Sequence, residues 1–446
     1  MDEMWIILEL EVINISCTAS GSDIHRVIQI DFSSISAFLK GLSTYPQPLR
    51  LRLRIFNIFF LYKHTHQAVR KGELSTIMKL VFDKADLVKS VAIAMKAVSG
   101  KTTMPILQCI LIDATSNQIK FTSNDMELGI ETIATGMILE RGMIALDAKI
   151  FSEIVRKLPD NQVTIETDEN LVTTITCEKA KFNIPGLSGE DFSYLPILET
   201  SDCVSISQFT LKELIRQTIF SIAANENNKL MTGELFEIKD NTLRVVSLDG
   251  HRIAIRKMEL KASYPDRKVV VPGKTLNEIS KILSGEVDDQ VDLYFSENHI
   301  MFKFDDTTVV SRLIDGEYFR IDQMLSSDYE TKVTINKKEF LNCIDRATLL
   351  VKEGDKKPII IDIQDGAMEL QINSAMGSMK EEIDIEKEGK DIMIGFNPKF
   401  LIDALRVIDD EEISIYLVNP KAPCFIRNED ESYIYLILPV NFNSVR

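Results

Sequence analysis

Six lysines recur through this 446-residue chain at almost constant spacing: Lys84, Lys149, Lys212, Lys274, Lys337 and Lys399, separated by 62 to 65 residues. Further cations accompany them. Lys149 is followed by Arg156, Lys274 by Lys281 and Lys399 by Arg406, each seven residues on. Seven residues is two helical turns, so both charges of a pair project from one face. Lys89, Lys96 and Lys101 follow Lys84, Arg216 follows Lys212, and Lys338 and Arg346 follow Lys337. Many cations at equivalent places, with no base-reading motif beside them, suit a polyanion met through its phosphates. Such contact carries no sequence information and weakens with salt.

Against that background the rest of the chain is acidic. The formal net charge is −16. The six segments 84–101, 147–158, 210–223, 272–284, 336–352 and 397–408 together carry +9, which leaves −25 on everything else. A positive set of helices set apart from a negative remainder attracts a nucleic acid at one surface and repels it elsewhere.

Catalytic chemistry finds little support. Asp249 and His251 could form a base pair for a hydrolase, but His251 and His299 are the only histidines in the repeated region. No phosphate-cradling P-loop, H-E-x-x-H or nucleophile elbow is present. Cys17, Cys109, Cys177, Cys203, Cys343 and Cys424 are scattered without metal-ligand spacing and read as reduced thiols, so no cofactor or metal is expected. No apolar run reaches the roughly 20 residues of a membrane span. Asp2 and Glu3 stand where a signal peptide carries positive charge, and a cytoplasmic protein is expected.

The elements that must position the cations follow from the same repeat. Each lysine lies near the start of a segment with helical apolar periodicity. Helix starts are marked by Asp147, Pro272 and Asn397-Pro398. The apolar stripes comprise Leu87, Val91, Met95 and Val98; Ile150, Ile154, Val155 and Leu158; Leu211, Ile215, Ile219 and Ile222; Leu276, Ile279, Ile282 and Leu283; Phe340, Ile344, Ala347 and Leu350; and Phe400, Ala404, Leu405 and Ile408. Alternating strands with short turns separate the helices, so antiparallel sheets are expected. Two β-α-β-β-β units per domain give three domains, 78–198, 199–325 and 326–446, in an α+β fold with helices on one side and sheets on the other. Residues 1–77 stand outside the repeat. Met78 is expected to open the folded part, with the preceding stretch a gene-model artefact or, alternatively, a membrane- or partner-binding arm.

Geometry bounds the assembly. Helices standing side by side are about 8–10 Å apart. Six of them around a hole leave almost no opening, whereas twelve leave roughly 21–28 Å, enough for a duplex. A closed ring on double-stranded DNA therefore needs two copies of the chain.

From Met78 to the C-terminus the chain resembles the bacterial sliding clamps, the beta subunits of DNA polymerase III. The resemblance rests on Met104-Pro105-Ile106-Leu107, Phe182-Asn183-Ile184-Pro185-Gly186, Asp191-Phe192, Asp249-Gly250-His251-Arg252, Leu313-Ile314-Asp315-Gly316 and Tyr435-Leu436-Ile437-Leu438-Pro439-Val440. It implies a non-catalytic processivity factor for DNA replication: a homodimeric ring of six like-folded domains that encircles DNA and tethers the replicative polymerase. It also implies a pocket for short linear motifs of polymerases, the clamp loader and repair proteins, matched here by Met231, Leu248, Gly250, His251, Arg252, Ile253, Phe319, Met324, Leu436, Leu438, Pro439 and Val440. Phe319 stands where the family often has Pro, and Gln323 replaces a frequent Arg. The implied subunit interface falls on Phe182, Ile184, Leu349 and Leu350, and implied DNA contacts fall on Lys101 and Asn225. Without the resemblance, Asp249-Gly250-His251-Arg252 reads as a hairpin turn. A protein scaffold that never meets nucleic acid is the remaining alternative; cations buried in ion pairs would favour it.

Overall fold

The computed structural model describes residues 78–442, apart from residues 101, 199–202, 225–227, 326–327 and 352–356. The expected extension 1–77 and two expected contact residues, Lys101 and Asn225, lie outside the described residues. By its contacts the chain divides between Leu74 and Ser75, and the second unit is the one described.

Six α-helices occur among the described residues: α1 (Lys84–Ala94), α2 (Ala148–Lys157), α3 (Gln208–Thr218), α4 (Gly273–Ile279), α5 (Lys337–Thr348) and α6 (Pro398–Val407). Four begin with a side-chain cap. Asp147 accepts from the Ile150 N–H at 2.8 Å, Ser207 from Thr210 at 3.1 Å, Asn336 from Glu339 at 3.1 Å and Asn397 from Lys399 at 3.1 Å. Each satisfies an N–H that the first turn would otherwise leave without a partner.

Two expectations need correction. The fourth helix was expected to run to about residue 284 but ends at Ile279. Lys281 and Ile282 then bond back three residues, to Glu278 and Ile279, so the chain tightens into turns while keeping the same apolar contacts. In α2 the buried positions are Ala148, Phe151 and Val155, and Ile150, expected in the core, is 50% exposed. It lies one position off the buried stripe, beside Lys149.

At least three strands follow every helix but α3, after which two long ones stand in their place, so that the start of Arg252–Pro272 occupies the position of a third strand. In the middle domain the strand Gly233–Leu248 bends at Asp240 (φ +53°), and it pairs along its length with the 21-residue strand Arg252–Pro272. Each domain keeps its own core. Phe82, Phe121 and Phe151 meet edge to face in the first, Phe236 and Phe302 are buried in the second, and Phe340 and Phe396 in the third.

The domains are joined by strand pairing. Strand Thr307–Arg312, the last of the middle domain, pairs with Leu128–Ala134 of the first, matching Val309 with Ile130 and Thr307 with Thr132. Strand Tyr433–Ile437, the last of the third domain, pairs with the start of Arg252–Pro272 in the middle one, matching Leu436 with Ile253. In both cases the third strand after one domain's first helix receives the third strand after the next domain's second helix. Two strands in those positions remain without such a partner: Gly377–Asp384, which is the edge of a four-stranded sheet, and the Ala180–Ile184 part of Ala180–Ser188.

Candidate nucleic-acid interface and partner pocket

The helices place the expected cations in three different situations. Lys89, Lys149, Arg156, Lys338 and Lys399 are exposed, and among the described residues their side chains make no hydrogen bond or ion pair. Others are exposed but paired: Lys274 with Asp125, Lys281 with Glu278 at 2.7 Å, Arg346 with Glu381, and Arg406 with Asp345 at 3.3 Å. Lys96 approaches Glu278 at 3.9 Å. Exposed pairs such as those of Lys281 and Arg406 hold weakly, so such a cation remains available to a phosphate, whereas the Asp125 side chain that holds Lys274 is only 5% exposed.

A third group turns inward. Lys84 donates to Asp160 at 2.7 Å, Lys212 to the Leu283 carbonyl at 3.3 Å, and Arg216 to the Val407 carbonyl at 3.1 Å and to Asp409 at 2.7 Å. The hydrogen bond from Lys84 holds the Asp160 carboxyl below its ordinary range, and the Glu213 hydrogen bond raises Arg216 further. Sequence periodicity puts these residues on the polar face but does not say where a four-carbon arm ends.

The residues expected to form the motif pocket gather where the middle and third domains meet. Leu248, Ile253 and Leu436 are buried in one cluster, with Met231 and Phe319 half-buried against it. Met324 and Leu438 stand exposed at its side. The C-terminal segment is held by its backbone: Leu438 N–H donates to His251 O and Val440 N–H to Gly395 O, both at 2.8 Å.

Asp249-Gly250-His251-Arg252 is a turn whose Asp249 side chain accepts the N–H of His251 at 3.0 Å and of Arg252 at 3.2 Å, with Gly250 at φ +81°. A left-handed residue at that place favours glycine. The second Asp249 oxygen takes Arg252 Nε at 3.0 Å. Asp249 is thus committed to Arg252 and does not orient the His251 ring, which leans on Phe400 with centroids 5.9 Å apart. No acid–base dyad is formed there.

Arg252 is only 7% exposed. Its guanidinium also donates to Asp403 at 2.8 Å and to the Phe220 carbonyl at 2.6 Å, and stacks 4.5 Å from the Phe400 ring centre. Among the residues matched to the pocket, it ties the middle domain to α6.

Two of the expected interface residues lie on an unpartnered strand, and the other two follow α5. Phe182 is exposed and Ile184 half-buried on Ala180–Ser188; Leu349 is 75% exposed and Leu350 packs against the third core. Sequence reasoning missed Glu234, fully buried on strand Gly233–Leu248. Burial pushes its carboxyl well up, opposed only partly by Thr218. Among the described residues neither carboxyl oxygen has a hydrogen-bond partner, and the Thr218 hydroxyl donates to Leu214 O at 2.6 Å.

Known proteins were compared against this geometry. The family models described as DNA polymerase III beta subunit, N-terminal, central and C-terminal domain, match residues 78–196, 205–319 and 322–441. A beta sliding clamp of Staphylococcus epidermidis is 34% identical over 357 residues, covering 78% of this chain and 94% of that protein. The crystal structure of a putative DNA polymerase III beta subunit from Eubacterium rectale is 70% identical with a TM-score of 0.80, covering 82% of this chain and all of that one. That of the Bacillus subtilis DNA polymerase sliding clamp is 36% identical with a TM-score of 0.79, at the same coverage.

Proposed function

The chain belongs to the bacterial DNA polymerase III beta subunit family, the sliding clamps, and from that premise we propose how its own residues do the work. It is a non-catalytic processivity factor that holds DNA and tethers the replicative polymerase. Two copies close head to tail, the strand Gly377–Asp384 of one pairing with Ala180–Ser188 of the other, and Leu349 and Leu350 covering Phe182 and Ile184. One observation carries this. Both joints inside the chain use the same pair of strand positions, and one pair in those positions is left over. An unpaired strand edge is a template for another strand. Closure brings twelve helices around one hole, and three domains per copy meet at breaks near residues 199 and 326.

Lys89, Lys149, Arg156, Lys338 and Lys399, with the exposed paired cations, face the duplex and hold its phosphates loosely and without regard to sequence. The apolar hollow of Met231, Phe319, Met324, Leu438, Pro439 and Val440 over Leu248, Ile253 and Leu436 takes short linear motifs of the polymerase, clamp loader and repair proteins. Methionines suit such a hollow because they repack for different partners. The reading puts this work in the cytoplasm. Among the described residues no helix is long and apolar enough to cross a membrane.

The test is retention. Loaded on nicked circular DNA, the protein should stay through a high-salt wash and leave once the circle is linearised. Equal loss from circles and linear DNA would sink the ring.

A further inference from the structure

In every domain a lysine of the first helix reaches the C-terminal end of the second. Lys84 of α1 meets Asp160, three residues past the end of α2, at 2.7 Å. Lys212 of α3 meets the Leu283 carbonyl, where the turns after α4 finish, at 3.3 Å. Lys337 of α5 meets the carbonyl of Ile408, the C-cap of α6, at 2.6 Å. Lys84 and Lys337 occupy the first position of their helices. The corresponding residue of α3 is Gln208, whose side chain instead accepts the Ser284 N–H at 2.9 Å, and Lys212, one turn on, supplies the cation.

The last carbonyls of a helix lack partners within it and carry the negative end of its dipole. A lysine ammonium there completes hydrogen bonds and meets a favourable field. Lys212 and Lys337 bond such carbonyls directly and Lys84 bonds the Asp160 carboxylate just beyond α2, so the placement of a lysine recurs three times although the residue supplying it shifts by a turn in α3. Around Lys212 the site is shaped to fit: Gly285 holds φ +82°, and a Cβ there would lie 3.3 Å from the ammonium.

We propose that Lys84, Lys212 and Lys337 are positioning residues that lock the two helices of each domain together, and that they contribute little to DNA contact. Phosphate contact then falls to cations such as Lys149, Arg156 and Lys399. This assignment rests on the ring reading given above. It parts Lys84, Lys212 and Lys337 from Lys149 and Lys399, which share their spacing.

Two sets of variants in the full chain separate the two roles. The locking set is Lys84→Met, Lys212→Met and Lys337→Met; the contact set is Lys149→Met, Arg156→Gln and Lys399→Met. For the locking set, amide exchange should quicken at residues 156–162, 281–286 and 405–410, some 70 residues from the changes, and each site should lower the melting midpoint by about 1–3 °C. The rate of escape from linear DNA and its salt dependence should stay within twofold of the parent. The contact set should do the reverse. If the triple locking variant does not fold, the single Lys337→Met is read at 405–410, and Lys337→Arg, which keeps a cation at Ile408, should restore protection. Unchanged exchange at those segments, or faster escape from DNA by the locking set, overturns the proposal. A contact set that escapes no faster than the parent overturns the basic channel instead and leaves the locks standing.

Discussion

Arg252 Nη1 lies 2.8 Å from Asp403 Oδ2, across 151 residues of sequence and from one domain into the next. With Asp249 and the Phe220 carbonyl on its other nitrogens, every nitrogen of the guanidinium has an acceptor. Removing one member of a buried pair strands the other charge, at a cost of about 3 kcal/mol. Arg252→Ala should therefore lower denaturant stability by about that much and loosen the middle–third joint. A loss below about 0.5 kcal/mol would show that water replaces the guanidinium freely.

Glu234 predicts an unusual pH dependence. Its folded pKa lies above the unfolded one, so the folded state keeps a proton that the unfolded state has released. Its contribution to stability is greatest below the unfolded pKa, near 4.3, and falls as pH rises toward the folded value. Glu234→Gln removes that slope. The variant should be more stable than the parent at pH 8, by about 1–3 kcal/mol, with a smaller difference at pH 5. Parallel stability curves across that range would mean that Glu234 is ionised in the fold.

The seam between copies is tested by charge. Phe182→Asp, Ile184→Asp, Leu349→Asp and Leu350→Asp together place like charges on the unpartnered strand Ala180–Ser188 and on the apolar residues after α5 expected to cover it. Sedimentation should give monomers at concentrations where the parent is a dimer. An unchanged dimer mass would move the interface elsewhere.

The C-terminal segment is fixed at Leu438 and Val440 by backbone bonds to His251 and Gly395. Ending the chain after Ile437 removes the exposed wall of the pocket while keeping strand Tyr433–Ile437 and its joint. Binding of a fluorescent linear-motif peptide should fall at least tenfold with dimer mass unchanged. Retained affinity would locate the pocket on another face.

Much of this fold is legible in the residues. Apolar spacing and the caps Asp147 and Asn397 mark helix starts to within a residue, because both are local. What escaped was set at long range. Whether Lys84 or Lys149 is free depends on a partner such as Asp160, brought near only by the packed helices. Arg252 reads as an exposed turn residue until α6 arrives over it with Asp403 and Phe400. Glu234 looks like a surface carboxylate beside Gly233 and becomes interior because Gly233–Leu248 is covered on both faces. Fusion of strands in the middle domain leaves no mark in polarity at all.

The two joints within the chain are fastened twice, by strands and by charge: Lys274 to Asp125 at one, Arg252 to Asp403 and Arg216 to Asp409 at the other. At the free edge the turn entering Gly377–Asp384 reads Ser374-Ala375-Met376, where Asp125 and Asp249 stand in the sister turns. Lys149 of a second copy would find no carboxylate on that turn. A closed circle made this way has a clasp as well as welds, and a motor pulling it apart to thread a chromosome would part it at the clasp.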